Sequence, residues 1–351
     1  MTLEPFRLED GVLRILDQTL LPEHESWIEI DDPGAMADAI GRLAVRGAPA
    51  IGIAAALALA LEAERLARAG AKAPALVDSL RGAGERLKAV RPTAVNLAWA
   101  VDRVIAAASR AEPGVVPARD GGTGSGAAER ARREASALWA EDLAASKAMA
   151  AHGAAILTDA RRVLTHCNTG GLATGGGGTA LAVILELARR RPGTEVWITE
   201  TRPLLQGARL TAWELRRAGI TPRLVADGAA PHVIARGGID AVLVGADRVA
   251  RNGDVANKIG TYPLALAARE AGIPFIVVAP TSTFDPALED GSSIPIEERD
   301  SSEVTSLRGV PTAAAGVEAH NPAFDVTPAR LVTHHVTERG VGLPEVPVRG
   351  G

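Results

Sequence analysis

Cysteine and aromatic residues are both scarce in this sequence. A single cysteine, Cys167, stands among 351 residues, which excludes an internal disulfide and any zinc site built from several cysteines. Aromatic residues make up only 3% of the chain, while alanine and glycine are abundant. This composition favours closely approaching backbones and helix-rich packing.

Targeting and membrane-spanning patterns are missing as well. The first residues lack a basic stretch followed by an apolar core, so they do not predict a secretory signal. The apolar run at 48–61 is alanine-rich, is soon followed by charges, and falls short of the roughly 20 residues that span a bilayer. A net charge of -4 gives no reason to expect nucleic acid as a partner. We therefore expect a cytoplasmic protein without membrane or nucleic-acid partners.

The length and composition predict a globular chain of two domains. A single hydrophobic core rarely grows to 351 residues, and the 47% hydrophobic and 23% charged fractions are ordinary for globular proteins. The first thirty residues predict two or three short strands, and helical spacing begins at Gly34. We therefore predict a small α+β domain over 1–128. Its last part, 109–126, is rich in Pro, Gly and Ser and is typical of a mobile loop or linker.

The pattern changes in the second part of the chain. One long helix is predicted over 127–153, and after it short runs of Val, Leu and Ile alternate with helical segments. Such alternation is typical of a mostly parallel sheet covered by helices on both faces. We therefore predict an α/β fold with a Rossmann-like catalytic domain over 129–351. The predicted strands are 162–167, 195–199, 223–226, 241–245, 274–279 and 330–333.

Polar and ionisable residues gather where these predicted strands end. His166, Cys167 and Asn168 stand at the end of the first strand, and Asp247 follows the fourth. Ligands of open parallel sheets bind outside the carboxyl ends of the strands. The sequence therefore predicts a site at this edge of the sheet.

Cys167 alone admits two interpretations. A lone cysteine at the end of a buried strand is commonly a small, inert hydrophobic residue. His166, Asn168 and the glycine-rich turn at 175–178 could instead stabilise a thiolate or orient the sulfur. Because neighbours in a strand face opposite sides, His166 need not contact Cys167.

Asp247 follows an apolar run, so an apolar floor is expected beneath it. Partial desolvation would raise the pKa of its carboxyl and suit it to general acid catalysis near neutrality. An ion pair with Arg248 or a turn cap is the alternative. Asn257 and Lys258 would bring an amide and a cation to the same edge, unless Lys258 is simply solvated.

Two segments are candidates for holding an anion. The glycines at 175–178 precede a predicted helix, but their spacing is not a clean dinucleotide-binding pattern, so nicotinamide binding is the weaker interpretation. Arg46, Gly47 and Ala48 precede Pro49, which suits the first turn of a helix. The guanidinium of Arg46 suits a phosphate, and an ordinary helix start with a solvated arginine is the alternative.

Long segments of the sequence resemble the methylthioribose-1-phosphate isomerase family, which is related to the regulatory subunits of a eukaryotic translation-initiation exchange factor. The resemblance runs over about residues 10 to 342. The segments that carry it are RGAPAIG (46–52), RPTAVNLAWA (91–100), THCNTGGLATGGGGTAL (165–181), ETRPLLQGARLTAWEL (200–215), GADRVARNGDVANKIGTYPLALAA (245–268), PFIVVAPTSTFD (274–285), IPIEERD (294–300) and NPAFDVTP (321–328).

The resemblance implies an aldose–ketose isomerase that converts 5-methylthioribose 1-phosphate to 5-methylthioribulose 1-phosphate in methionine salvage. It implies a homodimer that needs no cofactor and no metal. Asp247 matches the proton donor of the family, and Cys167 matches its transition-state stabiliser. The residues that match the substrate-binding positions are Arg46, Gly47, Ala48, Arg91, Gln206, Asn257 and Lys258.

Two glycines depart from the family pattern. Gly177 stands where a bulkier residue is expected, and Gly228 where asparagine is common, so substrate breadth is more open than reaction type. One alternative function is isomerisation of another 1-phosphorylated pentose, such as 5-deoxyribose 1-phosphate or ribose 1,5-bisphosphate. A second is a non-catalytic regulatory protein that binds sugar phosphates or nucleotides, although Cys167 and Asp247 argue against it. A nicotinamide-dependent dehydrogenase is the third.

Overall fold

The computed structural model describes residues 3–9, 11–92, 94–110 and 124–345. The chain divides into two compact units. The N-terminal unit contains the residues up to Ala144 together with Gly171–Gly177, and the C-terminal unit contains the remainder. Most of the predicted loop or linker at 109–126 lies outside the described residues.

The N-terminal unit begins with a small antiparallel sheet, as the turn-separated apolar runs predict. Its strands, in the order β1-β2-β3, are β1 (Phe6–Glu9), β2 (Val12–Leu16) and β3 (Trp27–Ile30). Leu13 and Ile15 on β2 are fully buried, whereas Arg14 between them is only partly buried. One face of this sheet therefore contributes to the core.

Five helices follow the sheet: α1 (Pro33–Gly41), α2 (Ala48–Arg68), α3 (Ala73–Val90), α4 (Val95–Ser109) and α5 (Ser125–Ala155). The alanine-rich α2 is buried along most of its length. A Cβ atom added at Gly52 of α2 would lie 2.8 Å from the carbonyl oxygen of Asn96 on α4. The small residues therefore allow the two backbones to approach closely, as the composition predicts.

The division between the units falls within α5, between Ala144 and Ala145. Ala131 and Leu138 of α5 pack in the N-terminal core, whereas Met149 packs in a core of the C-terminal unit. The predicted boundary at residue 128 assigns nearly the whole helix to the second domain. The apolar face of the helix changes partners along its length.

The C-terminal unit is built on a seven-stranded sheet with the order β16-β15-β10-β7-β4-β5-β6. Every strand pair is parallel except β15 with β16. This arrangement confirms the predicted α/β fold with a mostly parallel sheet. The strands are β4 (Arg162–Thr165), β5 (Glu195–Thr199), β6 (Arg223–Val225), β7 (Ala241–Val244), β10 (Phe275–Val278), β15 (His334–Thr337) and β16 (Gly340–Val341).

A second, four-stranded sheet in this unit was not predicted. Its order is β11-β8-β9-β14, and a separate two-stranded hairpin joins β12 to β13. These strands are short and several are polar, so they lack the continuous apolar runs that mark the main sheet. Their bounds are β8 (Arg248–Ala250), β9 (Val255–Lys258), β11 (Phe284–Asp285), β12 (Ser306–Leu307), β13 (Val310–Pro311) and β14 (Phe324–Thr327).

Apolar side chains fill both faces of the main sheet. Val163 and Leu243 belong to one buried cluster, whereas the next residue of β4, Leu164, and the preceding residue of β7, Val242, belong to another. This alternation places a core on each face. The helices of the unit are α6 (Ala180–Arg190), α7 (Ala212–Arg217), α8 (Ala230–Ala235), α9 (Thr261–Ala271) and α10 (Ser302–Thr305).

The strand predicted at 330–333 is wrong. A short 3-10 turn, Ala329–Leu331, occupies this part of the chain, and β15 begins only at His334. The apolar Leu331 and Val332 mimic a strand, but they pack beside the turn that follows Pro328. No helix within the described ranges is long and apolar enough to cross a membrane.

Candidate active site at the carboxyl edge of the sheet

Cys167 and Asp247 follow adjacent strands of the main sheet. β4 and β7 are parallel neighbours, so their carboxyl ends lie at the same edge. Cys167 lies just beyond β4, and Asp247 lies just beyond β7. A Cβ atom added at Gly245 would lie 3.1 Å from the Cγ2 atom of Thr169, so the two following loops run side by side.

The backbone of Cys167 is held in a left-handed conformation. Its φ is 65°, its amide donates to Oγ1 of Thr201 over 2.9 Å, and its carbonyl accepts from Oγ1 of Thr211 over 2.6 Å. Such a conformation costs a non-glycine residue about 1–2 kcal/mol, so surrounding contacts must offset it. The residue is only 7% exposed. The structure therefore places a buried thiol at the sheet edge on a backbone that two hydroxyls hold.

The side chain of His166 is buried and hydrogen-bonded away from solvent. Its Nδ1 atom lies 2.7 Å from Oγ1 of Thr199, and its Nε2 atom lies 2.9 Å from the carbonyl oxygen of Ile259. Burial lowers the pKa of His166, which favours the neutral imidazole. The ring thus joins the end of β5 to the turn that follows β9.

Asn168 binds a carboxylate that was not predicted as part of the site. Its Nδ2 atom donates to Oε1 of Glu214 over 2.6 Å and lies 3.3 Å from Oγ1 of Thr211. A Cβ atom at Gly170 would collide with the same Glu214 carboxylate. No periodicity or spacing in the sequence predicts this contact, because 46 residues separate Asn168 from Glu214.

Asp247 is half-buried and follows the fully buried strand β7. Its backbone amide donates to the carbonyl oxygen of Ala256 over 3.0 Å, which fixes the loop against β9. The neighbouring Arg248 forms an ion pair with Asp285 at 3.7 Å. The main chain of the aspartate is therefore held by β9.

Asn257 and Lys258 end strand β9 and are both buried, with 5% and 9% of their surface exposed. Nδ2 of Asn257 donates to Oγ1 of Thr261 over 2.9 Å. Nζ of Lys258 lies 4.9 Å from the centre of the Phe324 ring, a cation–π distance. The interpretation of Lys258 as a solvated lysine is therefore excluded.

Asp325 was not predicted, yet it organises the turn after β9. Its carboxylate accepts the amide of Gly260 over 2.8 Å and the amide of Tyr262 over 3.1 Å. In the β9–β14 register it lies opposite Asn257. Burial raises the pKa of Asp325 to about 6, against the lowering effect of these hydrogen bonds.

Gln206 carries a buried acceptor. The residue is 4% exposed, and among the described residues its Oε1 atom has no hydrogen-bond partner. It directly precedes the π-helical turn Gly207–Thr211, and Gly207 packs so closely on the carbonyl oxygen of Thr199 that no side chain fits there. Buried polar atoms in proteins are normally paired, so this oxygen suits a hydroxyl group of a ligand.

The other predicted binding residues belong to the N-terminal unit. Gly47 precedes α2 and Ala48 begins it, while Arg91 directly follows α3. The φ of Gly47 is 97°, and an added Cβ atom would lie 2.5 Å from the carbonyl oxygen of Ala173, so only glycine fits. Arg46 and Arg91 are both half-buried.

The glycine-rich segment Gly171–Gly177 is fixed by side chains of α5. The amide of Gly175 donates to Oδ2 of Asp142 over 2.7 Å, and its carbonyl accepts from Nε1 of Trp139 over 2.7 Å. Burial raises the pKa of Asp142 to about 6. Because the amide of Gly175 already donates to the Asp142 carboxylate, this amide cannot also donate to a phosphate. This contact weakens the dinucleotide interpretation. No motif or spacing in the sequence points to Asp142.

Among the residues that the structure describes, no three His, Cys, Asp or Glu side chains are grouped so as to hold a metal ion.

Gly228, a departure from the family pattern, lies in the turn Asp227–Ala229 with nothing within 4 Å of an added Cβ atom. Asp227 itself accepts the amides of Thr201 and Arg202 over 2.8 and 2.6 Å. It thereby fixes the loop that holds Cys167.

The fold and the site define an α/β protein with a thiol and a carboxyl at one edge of a parallel sheet, and with a buried amide and cation on strand β9, which bonds to the loop of the carboxyl. The sequence profile of the initiation factor 2 subunit family matches residues 44–344. This chain belongs to that family.

Several relatives of known name cover almost the whole chain. A methylthioribose-1-phosphate isomerase of Pelotomaculum thermopropionicum is 50% identical over 335 residues, which are 95% of this chain and 89% of that protein. A 5-deoxyribose 1-phosphate isomerase of Moorella thermoacetica is 51% identical over 341 residues, 97% of this chain and 94% of that protein. The crystal structure of 5-methylthioribose 1-phosphate isomerase from Pyrococcus horikoshii OT3 has a TM-score of 0.86 and 40% identity, covering 97% of this chain and 93% of that one.

Proposed function

We propose that this chain is an aldose–ketose isomerase that converts 5-methylthioribose 1-phosphate to 5-methylthioribulose 1-phosphate in methionine salvage. One observation carries the proposal: a buried thiol, Cys167, and a half-buried carboxyl, Asp247, follow adjacent parallel strands at an edge that also holds buried polar groups. The names of the relatives in Pelotomaculum thermopropionicum and Pyrococcus horikoshii agree with this substrate.

The reaction must open a ring that is locked by a phosphate on C1. The bond between C1 and the ring oxygen breaks, the ring oxygen gains a proton, and one hydrogen moves from C2 to C1. The hydroxyl group on C2 loses its proton and becomes the ketone, so the product is an isomer of the substrate. In our proposal Asp247 protonates the ring oxygen. Cys167 stabilises the transition state at C1 and C2.

The binding residues of the N-terminal unit suit the phosphate group of the substrate. Arg46 and Arg91 offer forked donors, and the amides of Gly47 and Ala48 lie at the start of α2, where backbone N–H groups point outward. In the C-terminal unit, Gln206, Asn257 and Lys258 bind hydroxyl groups or phosphate in the proposal. The buried Oε1 atom of Gln206 supports its role.

The assembly and location are part of the same proposal. We expect a homodimer in the cytoplasm that needs no cofactor or metal. Light scattering coupled to gel filtration tests the dimer, since a monomer of 36.2 kDa would contradict it. Activity that survives exhaustive chelation and dialysis supports the cofactor-free chemistry.

The decisive experiment measures turnover of three substrates by the purified chain. They are 5-methylthioribose 1-phosphate, 5-deoxyribose 1-phosphate and ribose 1,5-bisphosphate. We expect the highest kcat/KM for 5-methylthioribose 1-phosphate. Phosphorus and proton NMR identify the product. Running the reaction in deuterated water distinguishes the two routes for hydrogen. Deuterium at C1 indicates a proton that passes through an enolate and exchanges with solvent, whereas its absence indicates transfer from C2 without exchange.

Isomerisation of 5-deoxyribose 1-phosphate is the second candidate. The relative named for that substrate is 51% identical, as similar as those named for the methylthio sugar. The two substrates differ only in the group on C5. A higher kcat/KM for the deoxy sugar, or for ribose 1,5-bisphosphate, would replace the first proposal. No turnover of any of the three would favour a non-catalytic regulatory role.

A further inference from the structure

A line of hydrogen bonds joins the backbone of Ile259 to the backbone of Cys167. Nε2 of His166 lies 2.9 Å from the Ile259 carbonyl oxygen, and Nδ1 of His166 lies 2.7 Å from Oγ1 of Thr199. Oγ1 of Thr199 lies 3.0 Å from Oγ1 of Thr201, which accepts the amide of Cys167 over 2.9 Å. Three buried side chains thus connect two main-chain groups from different parts of the sheet edge.

When the imidazole is neutral, the two ends of this line fix the direction of each hydrogen bond in it. A carbonyl oxygen only accepts, so Nε2 of His166 must carry a proton and donate to Ile259. In the neutral ring Nδ1 is then bare and accepts from the hydroxyl of Thr199. That hydroxyl has no second proton, so Thr201 donates to Thr199 while it accepts from Cys167.

The surroundings of His166 favour the neutral ring. The residue is 1% exposed, and burial lowers the pKa of its imidazole. Its ring packs on Gly260, where φ is 102° and an added Cβ atom would lie 3.0 Å from Cε1 of the histidine. The glycine therefore leaves room for the ring to reach Ile259.

We infer that His166 is a positioning residue that, as the neutral Nε2–H tautomer, orients the hydroxyls of Thr199 and Thr201 and thereby holds Cys167 in its left-handed conformation. The same ring ties Cys167 to the turn that follows Asn257 and Lys258. The inferred consequence for turnover rests on the proposed function of Cys167. The inferred tautomer of His166 and the inferred hold on Cys167 do not rest on that function.

The tautomer is tested by NMR of protein labelled with 15N in its seven histidines. The His166 signals are assigned by their loss in His166→Gln. At neutral pH we expect the nitrogen shifts and couplings of the Nε2–H form. An imidazolium pattern, or the Nδ1–H tautomer, would overturn the inference, because the direction of the hydroxyl protons would no longer follow.

The link to Cys167 is tested by a matched pair at Thr201. Thr201→Ser keeps the hydroxyl that accepts the Cys167 amide, whereas Thr201→Val removes it with little change in shape. Because Cys167 is the single cysteine, its alkylation by iodoacetamide reports on this site alone. We expect the serine variant to match the wild type within about twofold. The valine variant should be alkylated at least several-fold faster, and its kcat should fall about 10- to 100-fold with little change in KM.

Equal behaviour of the two Thr201 variants would overturn the inference. If Thr201→Val does not fold, the pair Thr199→Ser and Thr199→Val applies the same test one bond further from Cys167. Alkylation and NMR need no substrate. A wild-type chain without turnover would therefore defeat the proposed function while leaving this inference open to the same two measurements.

Discussion

The loop that carries Cys167 and the loop that carries Asp247 are held in different ways. Cys167 is fixed by the hydroxyls of Thr201 and Thr211, which come from the connection between β5 and α7. Asp247 is fixed by a main-chain hydrogen bond to Ala256 on the neighbouring strand. The backbone of Cys167 thus depends on particular side chains, whereas the backbone of Asp247 pairs with a strand, and many sequences would preserve that pairing.

This difference predicts how each loop responds to substitution. A change of the Asp247 side chain removes its chemistry but leaves the main-chain bond intact. A change around Cys167 disturbs its geometry even when the thiol remains, because the left-handed backbone has to be held against its own preference.

The largest effect is expected for Asp247→Asn. If the carboxyl is the proton donor, kcat should fall about 100- to 10,000-fold, because the amide cannot supply the proton. Circular dichroism and the urea midpoint should stay near those of the wild type, since the amide of residue 247 keeps its bond to Ala256. Asp290→Asn is the control, because Asp290 only accepts the amide and hydroxyl of Ser292 in a surface turn. Near-native turnover of Asp247→Asn would remove this residue from the reaction.

A smaller loss is expected for Cys167→Ser and Cys167→Ala. Serine keeps the size and a polar group, but it is harder to ionise than a thiol, so kcat should fall about 100-fold if the sulfur stabilises the transition state. Alanine should lose at least as much. The measurement is kcat for both variants at saturating substrate. Retention of most activity in the alanine variant would restore the inert interpretation of a buried cysteine.

The third prediction separates geometry from chemistry at the end of β5. A side chain at Gly207 would collide with the Thr199 carbonyl, so Gly207→Ala must displace the π-helical turn that contains Thr211. We expect a loss of about 1–3 kcal/mol in the free energy of unfolding, measured with urea. Turnover should fall as well, although no reacting group is changed.

Gly228→Ala is the matched control for Gly207→Ala. Nothing lies within 4 Å of a Cβ atom added at Gly228, so this substitution should change the free energy of unfolding by no more than about 0.5 kcal/mol. Equal stability of the two variants would show that the turn adapts, and that the Cys167 loop is less tightly constrained than its hydrogen bonds indicate.

Much of the fold could be predicted because buried parallel strands are continuous apolar runs. The runs at β4, β5 and β7 mark their own positions, and the polar residues after them mark the edge that carries Cys167 and Asp247. The short polar strand β9 leaves no such mark. The strand at His334–Thr337 was missed because two histidines hide its periodicity.

The supporting residues of the site could not be predicted for a related reason. Glu214, Asp142 and Asp325 act through contacts with residues that are 33 to 65 positions away in the chain. Their types are common on exposed helices and turns, so only the fold distinguishes them from solvated carboxylates. Residues named through family resemblance rest on long motifs, which carry information that spacing alone does not.

Two carboxyls hold loop amides, one in each unit. Asp142 binds the amide of Gly175, Asp325 binds the amide of Gly260, and burial raises the pKa of each from 3.8 to about 6. Between pH 3.8 and about 6 the folded protein therefore binds a proton at each site that the unfolded chain releases. The stabilising contribution of each carboxyl is fully present below this range and is lost as the pH rises through it.

Asp142→Asn should remove the part of this pH dependence that belongs to the N-terminal unit. The free energy of unfolding, measured with urea from pH 4 to pH 7, should fall less steeply in the variant than in the wild type, by on the order of 2 kcal/mol across the range. Asp325→Asn should do the same for the C-terminal unit, and the double variant should lose both contributions if the sites are independent. A constant difference between Asp142→Asn and the wild type at every pH would mean that this carboxyl titrates alike in the folded and unfolded chains. In that case the Gly175 amide, which holds the glycine-rich segment, would compensate fully for the burial of Asp142.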